Sequence, residues 1–589
     1  MPTTEAHRMS APVTESPIVL HDSRRLPGPS LLWDRSGAVA EVTCPDALAE
    51  RFVEAWRAEA RRMLDGVGWT GEQVVARRFP HGASVALSSP IDGLLSATEI
   101  NEWAVGSAAA RVLGDHVPPY GVAAKRIRRM IRREARPALV AIQGAAAEHG
   151  VTCLHDPDEV SVGAGRGAVT WPMTAIPTPE SVDWSDIHDV PIVLVTGTNG
   201  KTTTVRLLAA VARAAGRLVG FSSTDTITIG DEVVDRGDWA GPAGARRVLR
   251  DRRVEFAVLE TARGGILRRG LAATRAVAAI VTNVGEDHFG EWGITDVRSL
   301  AETKLVVGRA VLPGGRLVLN ADDPVLVEMA RVTTAPLLWI SSDAASPVVQ
   351  QHLATGGDAA WVEHGTLVLQ VGGTRCDVMA IADIPVTLAG AARHNVQNAL
   401  GVAALASVAG LPVEAIRAGL GGFGNTPHDN PGRLNVYRFG GVTALVDFVH
   451  NPHGMDAMAQ LAGSLPARRR LVVLGQAGDR DDEAIRAFAR SAWAMRPDRI
   501  VLKEMELFRR GREVGEASGL MEAELRRLGA APERITHAPS EYDAVRAALA
   551  WAEDGDLLLL PTHAERERVL QLMHRLEAAA WVAGHAVPE

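Results

Sequence analysis

Cysteine is scarce in this chain: three in 589 residues, Cys44, Cys153 and Cys376. Their spacing matches neither a thiolate metal site nor a disulfide framework, so a reducing compartment, the cytoplasm, is expected. No apolar run reaches the roughly 18 residues that a membrane-spanning helix needs. The opening Met-Pro-Thr-Thr-Glu-Ala-His-Arg lacks the apolar core of a signal peptide. A net charge of −8 argues against a general nucleic-acid binder. The expected partners therefore include neither nucleic acid nor a membrane.

Lysine is rarer still in proportion. Of 62 basic residues only four are lysines, Lys125, Lys201, Lys304 and Lys503. Arginine serves as the cation everywhere else, so a retained lysine points to a site that needs a compact ammonium or a nucleophilic amine. Lys125 lies in a run of basic and apolar residues through Arg133, which reads as a solvated helix face.

What the chain does have is Pro191-Ile-Val-Leu-Val-Thr-Gly-Thr-Asn-Gly-Lys-Thr-Thr-Thr204. The β-branched and aliphatic run predicts a buried parallel strand, and Val205, Leu207, Leu208 and Val211 predict a helix opening at Lys201. A strand, a glycine turn, then a lysine and a hydroxyl at a helix N-terminus make a phosphate cradle. Gly197, Thr198, Asn199, Gly200, Lys201, Thr202 and Thr203 are its candidate residues. Val195 stands where a full Walker A motif has its first glycine, so the match is partial.

Length suggests roughly three or four domains. Residues 1 to about 25 read as a loose tail. An α/β or α+β unit follows, with strands at Ala38–Thr43 and Ala83–Leu87, helices at Pro45–Leu64, Ala97–Leu113 and Pro137–His149, and a glycine turn at 163–167. Thr174–Ser181 reads as a linker. From Val190 strands and helices alternate, which implies a mostly parallel sheet covered on both faces. Strands are expected at Ile192–Val195, Phe256–Leu259, Ala278–Thr282 and Arg316–Leu319, then another small β-rich piece from Leu338 to Leu388 that interrupts before a helix at Asn395–Val408. The breaker-rich Gly424–Arg433 marks a second boundary. A Rossmann-like unit follows, with strands at Thr443–Phe448, Arg470–Leu474, Arg499–Leu502 and Leu557–Leu560. The expected domains are 1–185, 186–428 and 429–589.

Ligands of parallel sheets sit at the carboxyl ends of strands. Glu260 and His288 follow two such ends, and both are expected to converge with the Thr202 hydroxyl beside the cradle. Oxygen donors next to phosphate suit Mg²⁺.

These motifs, with Leu259-Glu-Thr-Ala-Arg-Gly-Gly265, Asn283-Val-Gly-Glu-Asp-His288, Asn320-Ala-Asp-Asp-Pro324, His394-Asn-Val-Gln-Asn398 and Asp447-Phe-Val-His-Asn-Pro452, resemble the Mur ligase superfamily. The Glu-Thr-Ala-Arg-Gly-Gly-Ile-Leu-Arg stretch and Gly478-Asp-Arg-Asp-Asp-Glu483 resemble more particularly the Mur-like module of cyanophycin synthetases. The resemblance runs from about Val190 onward and implies a cytoplasmic ATP-dependent ligase joining a carboxylate to an amine through an acyl phosphate. It implies that Lys201 holds the β- and γ-phosphates, that Thr202, Glu260 and His288 serve Mg²⁺, and that Lys304 is a carbamylated metal-binding lysine. Asn395 and Asn398 would face the adenine. Arg433 and Asp447 would approach the phosphate and ribose, with a hinge near Asn430–Gly432 and His450-Asn451 at the closing cleft.

The implied partners are a small-molecule or peptide carboxylate and an amino acid or amine, the former on the N-terminal unit; homo-oligomerisation is left open. Lys503-Glu504 and Arg509–Glu516 resemble the region that would bind the incoming amino acid, with a solvated loop as the alternative. Fewer than 200 residues precede the cradle, with no ATP-grasp pattern, so a single ligation is expected. Alternatives are folylpolyglutamate-type or peptidoglycan-precursor ligation, a catalytically incomplete nucleotide-binding scaffold, and a P-loop kinase or switch.

Overall fold

Alternating apolar runs in the first 113 residues build four antiparallel strands in the order Val19–Leu26, Gly37–Thr43, Gly82–Ser88, Val74–Phe79. The computed structural model describes residues 16–287 and 289–588. Helices Asp46–Val67 and Leu94–Leu113 pack on each other and on this sheet, with Trp56, Phe52 and Ile100 wholly buried between them. The Trp56 indole donates to Asn101 Oδ1 at 2.8 Å, and Asn101 donates to the Val85 carbonyl at 2.8 Å, so the buried polar pair is satisfied. This antiparallel unit is α+β. Its first strand occupies residues that the sequence reads as a loose tail. Leu26 is 1% exposed and faces a second small cluster with Val39 and Ala86, which its isolated pattern does not reveal. The basic run lies on helix Tyr120–Glu134, where Ala124 and Ile127 are buried and Lys125 and Arg128 are exposed. This compact unit comprises the described residues up to Ala141, with Arg268–Gly270 and Gly290–Thr295.

The remaining residues form a second unit. Its main sheet has eleven strands in the order Glu232–Arg236, Thr226–Ile229, Val219–Ser222, Phe256–Glu260, Ile192–Thr196, Ala276–Val281, Val311–Asn320, Leu337–Ser341, Asp358–Glu363, Thr366–Val371 and Thr374–Ala380. Every neighbouring pair from Val219–Ser222 to Asp358–Glu363 is parallel, and the two strands beyond each end are antiparallel. The β-rich stretch from Leu338 onward extends this same sheet. Leu337–Ile340 pairs in register with Leu317–Asn320, and Leu338 and Ile340 join the main core. Helices Lys201–Ala214, Arg393–Val408 and Val413–Gly422 bury Val205, Leu208, Leu400 and Leu420 in that core.

The C-terminal sheet has six strands in the order Asn435–Phe439, Val442–Asp447, Leu557–Pro561, Arg470–Leu474, Arg499–Lys503 and Ile535–Ala538, parallel apart from the first pair. Asn435–Phe439 and Ile535–Ala538 are strands additional to the four expected. A three-stranded antiparallel sheet, Cys153–His155, Glu159–Val162 and Val169–Pro172, groups with this larger unit. The glycines at 163–167 form a turn with a short 3-10 segment. Among the described residues no helix is long and apolar enough to cross a membrane.

Candidate active site

The strand Ile192–Thr196 is wholly buried between Phe256–Glu260 and Ala276–Val281. The loop leaving it turns through Gly197 (φ +152°) and Gly200 (φ +82°). A Cβ on Gly200 would stand 2.4 Å from Asn398 Oδ1, and one on Gly197 would stand 1.9 Å from Thr282 Oγ1. Only glycine fits both the backbone angle and the space. The loop is pinned from the neighbouring strand end. The Asn199 N–H donates to Asn283 Oδ1 at 2.9 Å, while Thr282 Oγ1 and Asn283 Nδ2 donate to the Asn199 carbonyl at 2.6 and 3.1 Å. Helix Lys201–Ala214 starts with no side-chain cap, so no side chain of its N-cap residue satisfies its first N–H groups. Lys201 Nζ donates to the Thr198 carbonyl at 3.0 Å, folded back over the loop.

Thr202 and Glu260 meet as their strand ends predict. Thr202 Oγ1 donates to Glu260 Oε2 at 2.9 Å. Glu260, 1% exposed, also accepts from Thr224, from the hydroxyl at 2.7 Å and the N–H at 3.2 Å. Thr224 lies just past strand Val219–Ser222, so a third strand end serves the site that the sequence reading did not assign.

Lys304 closes helix Val297–Leu305, whose start is fixed by a capping box between Asp296 and Ser299. It is 3% exposed. Burial pushes its amine down to about 7, Lys201 and Arg263 act in the same direction, and Asp287 opposes them. Lys201, Asp287, Arg263 and Lys304 thus share one electrostatic neighbourhood. Asp287 stands 3.7 Å from Arg480 of the Gly478–Glu483 motif. His450 is held below the ordinary histidine range, by burial first, with Asp287 opposing and Lys201 and Arg480 reinforcing. His288 lies outside the described residues.

Asn395 and Asn398 are buried behind the loop. Asn398 Nδ2 donates to Asn395 Oδ1 at 3.0 Å, Asn395 Nδ2 donates to the Val386 carbonyl at 2.9 Å, and Thr204 Oγ1 lies 3.4 Å from Asn398 Oδ1. From the C-terminal sheet, Asn451 and His453 reach Asn199, and Asn430 Nδ2 donates to Thr203 Oγ1 at 3.1 Å. Arg433 stacks over Phe448 at 4.2 Å and stands 3.7 Å from Asp225. Asp447 accepts the Leu434 N–H at 2.7 Å; burial nonetheless pushes its carboxyl up to about 6, against Arg433 and the backbone N–H groups.

Lys503 is a different case. Its Nζ donates to Glu541 Oε2 and to the Pro561 carbonyl, each at 2.6 Å, and both members of the ion pair are fully buried. The neighbouring loop is not free either: Arg512 donates to the carbonyls of Gly478 and Arg480 at 3.0 and 2.8 Å. Asp287 and Arg480, which lie in the Asn283–His288 and Gly478–Glu483 motifs without an assigned role, come into the site, as do Thr224, Asp225, Arg206 and Arg566, which no motif covers. Thr224 and Asp225 were findable, since they follow a strand end; Arg566 carries no sequence signal.

Among the described residues no three histidine, cysteine or acidic side chains converge as a metal cage. Beside the loop, Thr202 offers a hydroxyl and Glu260 a carboxylate. That set fits Mg²⁺, which keeps several waters and takes few protein ligands alongside phosphate oxygens.

Residues 195–406 match the Mur ligase middle domain, and residues 432–561 match the Mur ligase glutamate ligase domain. Cyanophycin synthetase of Synechocystis sp. is 41% identical over 332 residues, 56% of this chain and 38% of that protein. The chain thus spans well under half the length of that relative. UDP-N-acetylmuramoyl-L-alanyl-D-glutamate–2,6-diaminopimelate ligase of Geobacter metallireducens is 28% identical over 394 residues, 63% of this chain and 73% of that one. Among solved structures, E. coli FolC with DHPP and ADP aligns at a TM-score of 0.47 and 20% identity, covering 66% of this chain and 89% of that one. Through its matched middle and C-terminal domains, this chain belongs to the Mur ligase family.

Proposed function

We propose that this chain is an ATP-dependent ligase that joins a carboxylate to an amine through an acyl phosphate. The observation that carries the reading is the Thr202 hydroxyl held on buried Glu260, one residue from Lys201, in the neighbourhood of the depressed Lys304 amine. Lys201 and the open N–H groups of its helix bind the terminal phosphates of ATP. Thr202 and Glu260 would hold Mg²⁺, and Lys304, as its carbamate, would hold a second. When bound, these ions supply positive charge that offsets the negative charge spreading over the transferred phosphoryl. A neutral Lys304 amine is what carbamylation requires, because the attacking nitrogen must carry its lone pair.

A substrate carboxylate oxygen bonds to the γ-phosphorus as the bond to ADP breaks. The amine nitrogen then bonds to the acyl carbon, phosphate leaves, and the amine loses a proton, giving an amide. Water would hydrolyse the acyl phosphate, so the residues of 429–589 that reach the loop and its helix start, Asn430, Asn451 and His453, act to shield it. Asn395 and Asn398 support the adenine side, and Arg433 and Asp447 the phosphate and ribose. In this scheme 1–185 receives the carboxylate substrate, 186–428 binds ATP, and 429–589 receives an amino acid or other amine. The similarity to cyanophycin synthetase and to Mur-type ligases supports an amino-acid or peptide substrate class.

The test is an acceptor screen: the full chain, ATP and Mg²⁺ with candidate carboxylates and an amino-acid pool, read by ADP release and by product mass. An amide product with stoichiometric ADP and phosphate is expected. A phosphorylated final product, or nucleotide binding with no turnover on any acceptor, would overturn the reading.

A further inference from the structure

Asp225 follows directly on Thr224, whose hydroxyl holds Glu260. Its side chain is 10% exposed, and two guanidinium groups approach it: that of Arg566, the first residue of helix Arg566–Ala578, at 2.9 Å, and that of Arg433, just before strand Asn435–Phe439, at 3.7 Å. A third guanidinium, Arg206, comes from the phosphate-loop helix and also reaches the Asp429 carbonyl at 3.4 Å. Burial works to raise the Asp225 carboxyl, but Arg433 and Arg566 outweigh it and hold the group below the ordinary carboxylate range. The stem of Arg566 also lies across Gly432, where a Cβ would stand 2.4 Å from Arg566 Cδ and where φ is +66°. The same side chain therefore crosses the Asn430–Gly432 connection and ends on Asp225.

Several buried polar atoms here have no hydrogen-bond partner among the described residues: Asp225 Oδ2, Arg206 Nε, and one terminal nitrogen each of Arg433 and Arg566. A buried polar atom left unpaired is unfavourable, so the cluster gains from any movement that shortens its ion pairs. Removing the one carboxylate would leave three arginines facing each other with no central counter-charge.

We propose that Asp225 is a positioning residue, an anionic latch by which the middle domain holds Arg433 and Arg566, and with them the segment 430–433, against the Glu260 side of the site. The activity arm of its test rests on the ligase reading, whereas the closure arm does not. Hydrogen exchange of the full chain without nucleotide reads closure. Asp225→Asn is expected to speed exchange about tenfold over 429–435 and 562–568 while leaving the strands 192–196 and 470–474 as in the parent. Asp225→Glu should restore protection, and adding Arg566→Gln to Asp225→Asn should produce no further loss. In the ligase assay, Asp225→Asn should lower kcat about tenfold and Asp225→Glu should recover most of it. Unchanged exchange in Asp225→Asn would overturn the latch. So would exchange that rises equally in both sheets, the mark of a structural role alone, or failure of glutamate to rescue. A chain that releases no ADP with any acceptor yet shows the local exchange pattern would keep the latch and discard the ligase reading.

Discussion

Asn199 and Asn451 lie 252 positions apart and exchange carboxamide hydrogen bonds, each Nδ2 donating to the other's Oδ1 at 3.1 Å. Asn199 belongs to the phosphate loop, while Asn451 caps helix Pro452–Ser464 by accepting the Gly454 N–H at 2.8 Å. One amide therefore sets the position of an anion-binding loop and of a helix start in the other domain. Asn451→Ala removes the cap and the pair together, and is expected to cost about 1–2 kcal/mol. Asn451→Asp keeps the cap acceptor but sets a carboxylate facing the loop. ATP affinity by calorimetry should fall more in the aspartate variant than in the alanine variant; the reverse order would show that the pair does not adjoin bound phosphate.

Lys201→Ala should abolish ADP formation, a loss of about a hundredfold or more, since it removes the point charge at the phosphate loop. Because the Lys201 amine donates to a loop carbonyl at 3.0 Å, a neutral backbone acceptor on its own loop, thermal stability should change little. Undiminished turnover would rule out the phosphate role.

The pH dependence follows from Lys304, whose amine burial pushes down to about 7. The sign is set by the folded state disfavouring the proton: the neutral amine dominates above about pH 7 and is lost as the pH falls through it. Incorporation of carbon-13 from labelled bicarbonate, read as a carbamate resonance, should therefore decline below about pH 7. Lys304→Arg should show neither the resonance nor appreciable turnover, and high activity in that variant would remove the carbamate from the mechanism.

Glu260→Gln preserves shape and leaves Thr202 and Thr224 an acceptor oxygen, but removes the charge. The Mg²⁺ concentration for half-maximal turnover should rise about tenfold or more, and chelation of divalent ions should silence the parent. An unchanged Mg²⁺ requirement would place the metal elsewhere.

Lys503→Met tests the buried pair with Glu541. Breaking one side leaves a fully buried carboxylate still held by the backbone N–H groups of His563, Ala564 and Glu565 at 2.7, 3.4 and 2.8 Å. Loss of stability of about 3–5 kcal/mol is expected, read by urea unfolding. A loss near zero would show that the buried pair contributes no net stability.

Much of the site was legible because parallel sheets present ligand groups at strand ends, and a strand end is visible as an apolar run that stops. Thr202, Glu260 and the phosphate loop follow from that rule, and Thr224 and Asp225 obey it too, behind the short run Val219–Ser222. Leu337–Ser341 was harder: four apolar residues and a serine fit a new sheet as well as an extension of the old one, and only hydrogen-bonded register decides. Asn435–Phe439, with two of its side chains polar or charged inside five residues, lacks a strong strand pattern and is held by pairing with Val442–Val446.

The sequence by itself determined the loop chemistry, the alternating α/β order and the lysines worth keeping, because these depend on local pattern and on residue type. The tertiary structure alone decided that Lys304 is buried beside Lys201, that Arg433 and Arg566 share Asp225, and that Lys503 is a structural ion pair. Those facts depend on which distant side chains exclude water from one another, and desolvation and charge proximity are properties of packing that no stretch of sequence carries.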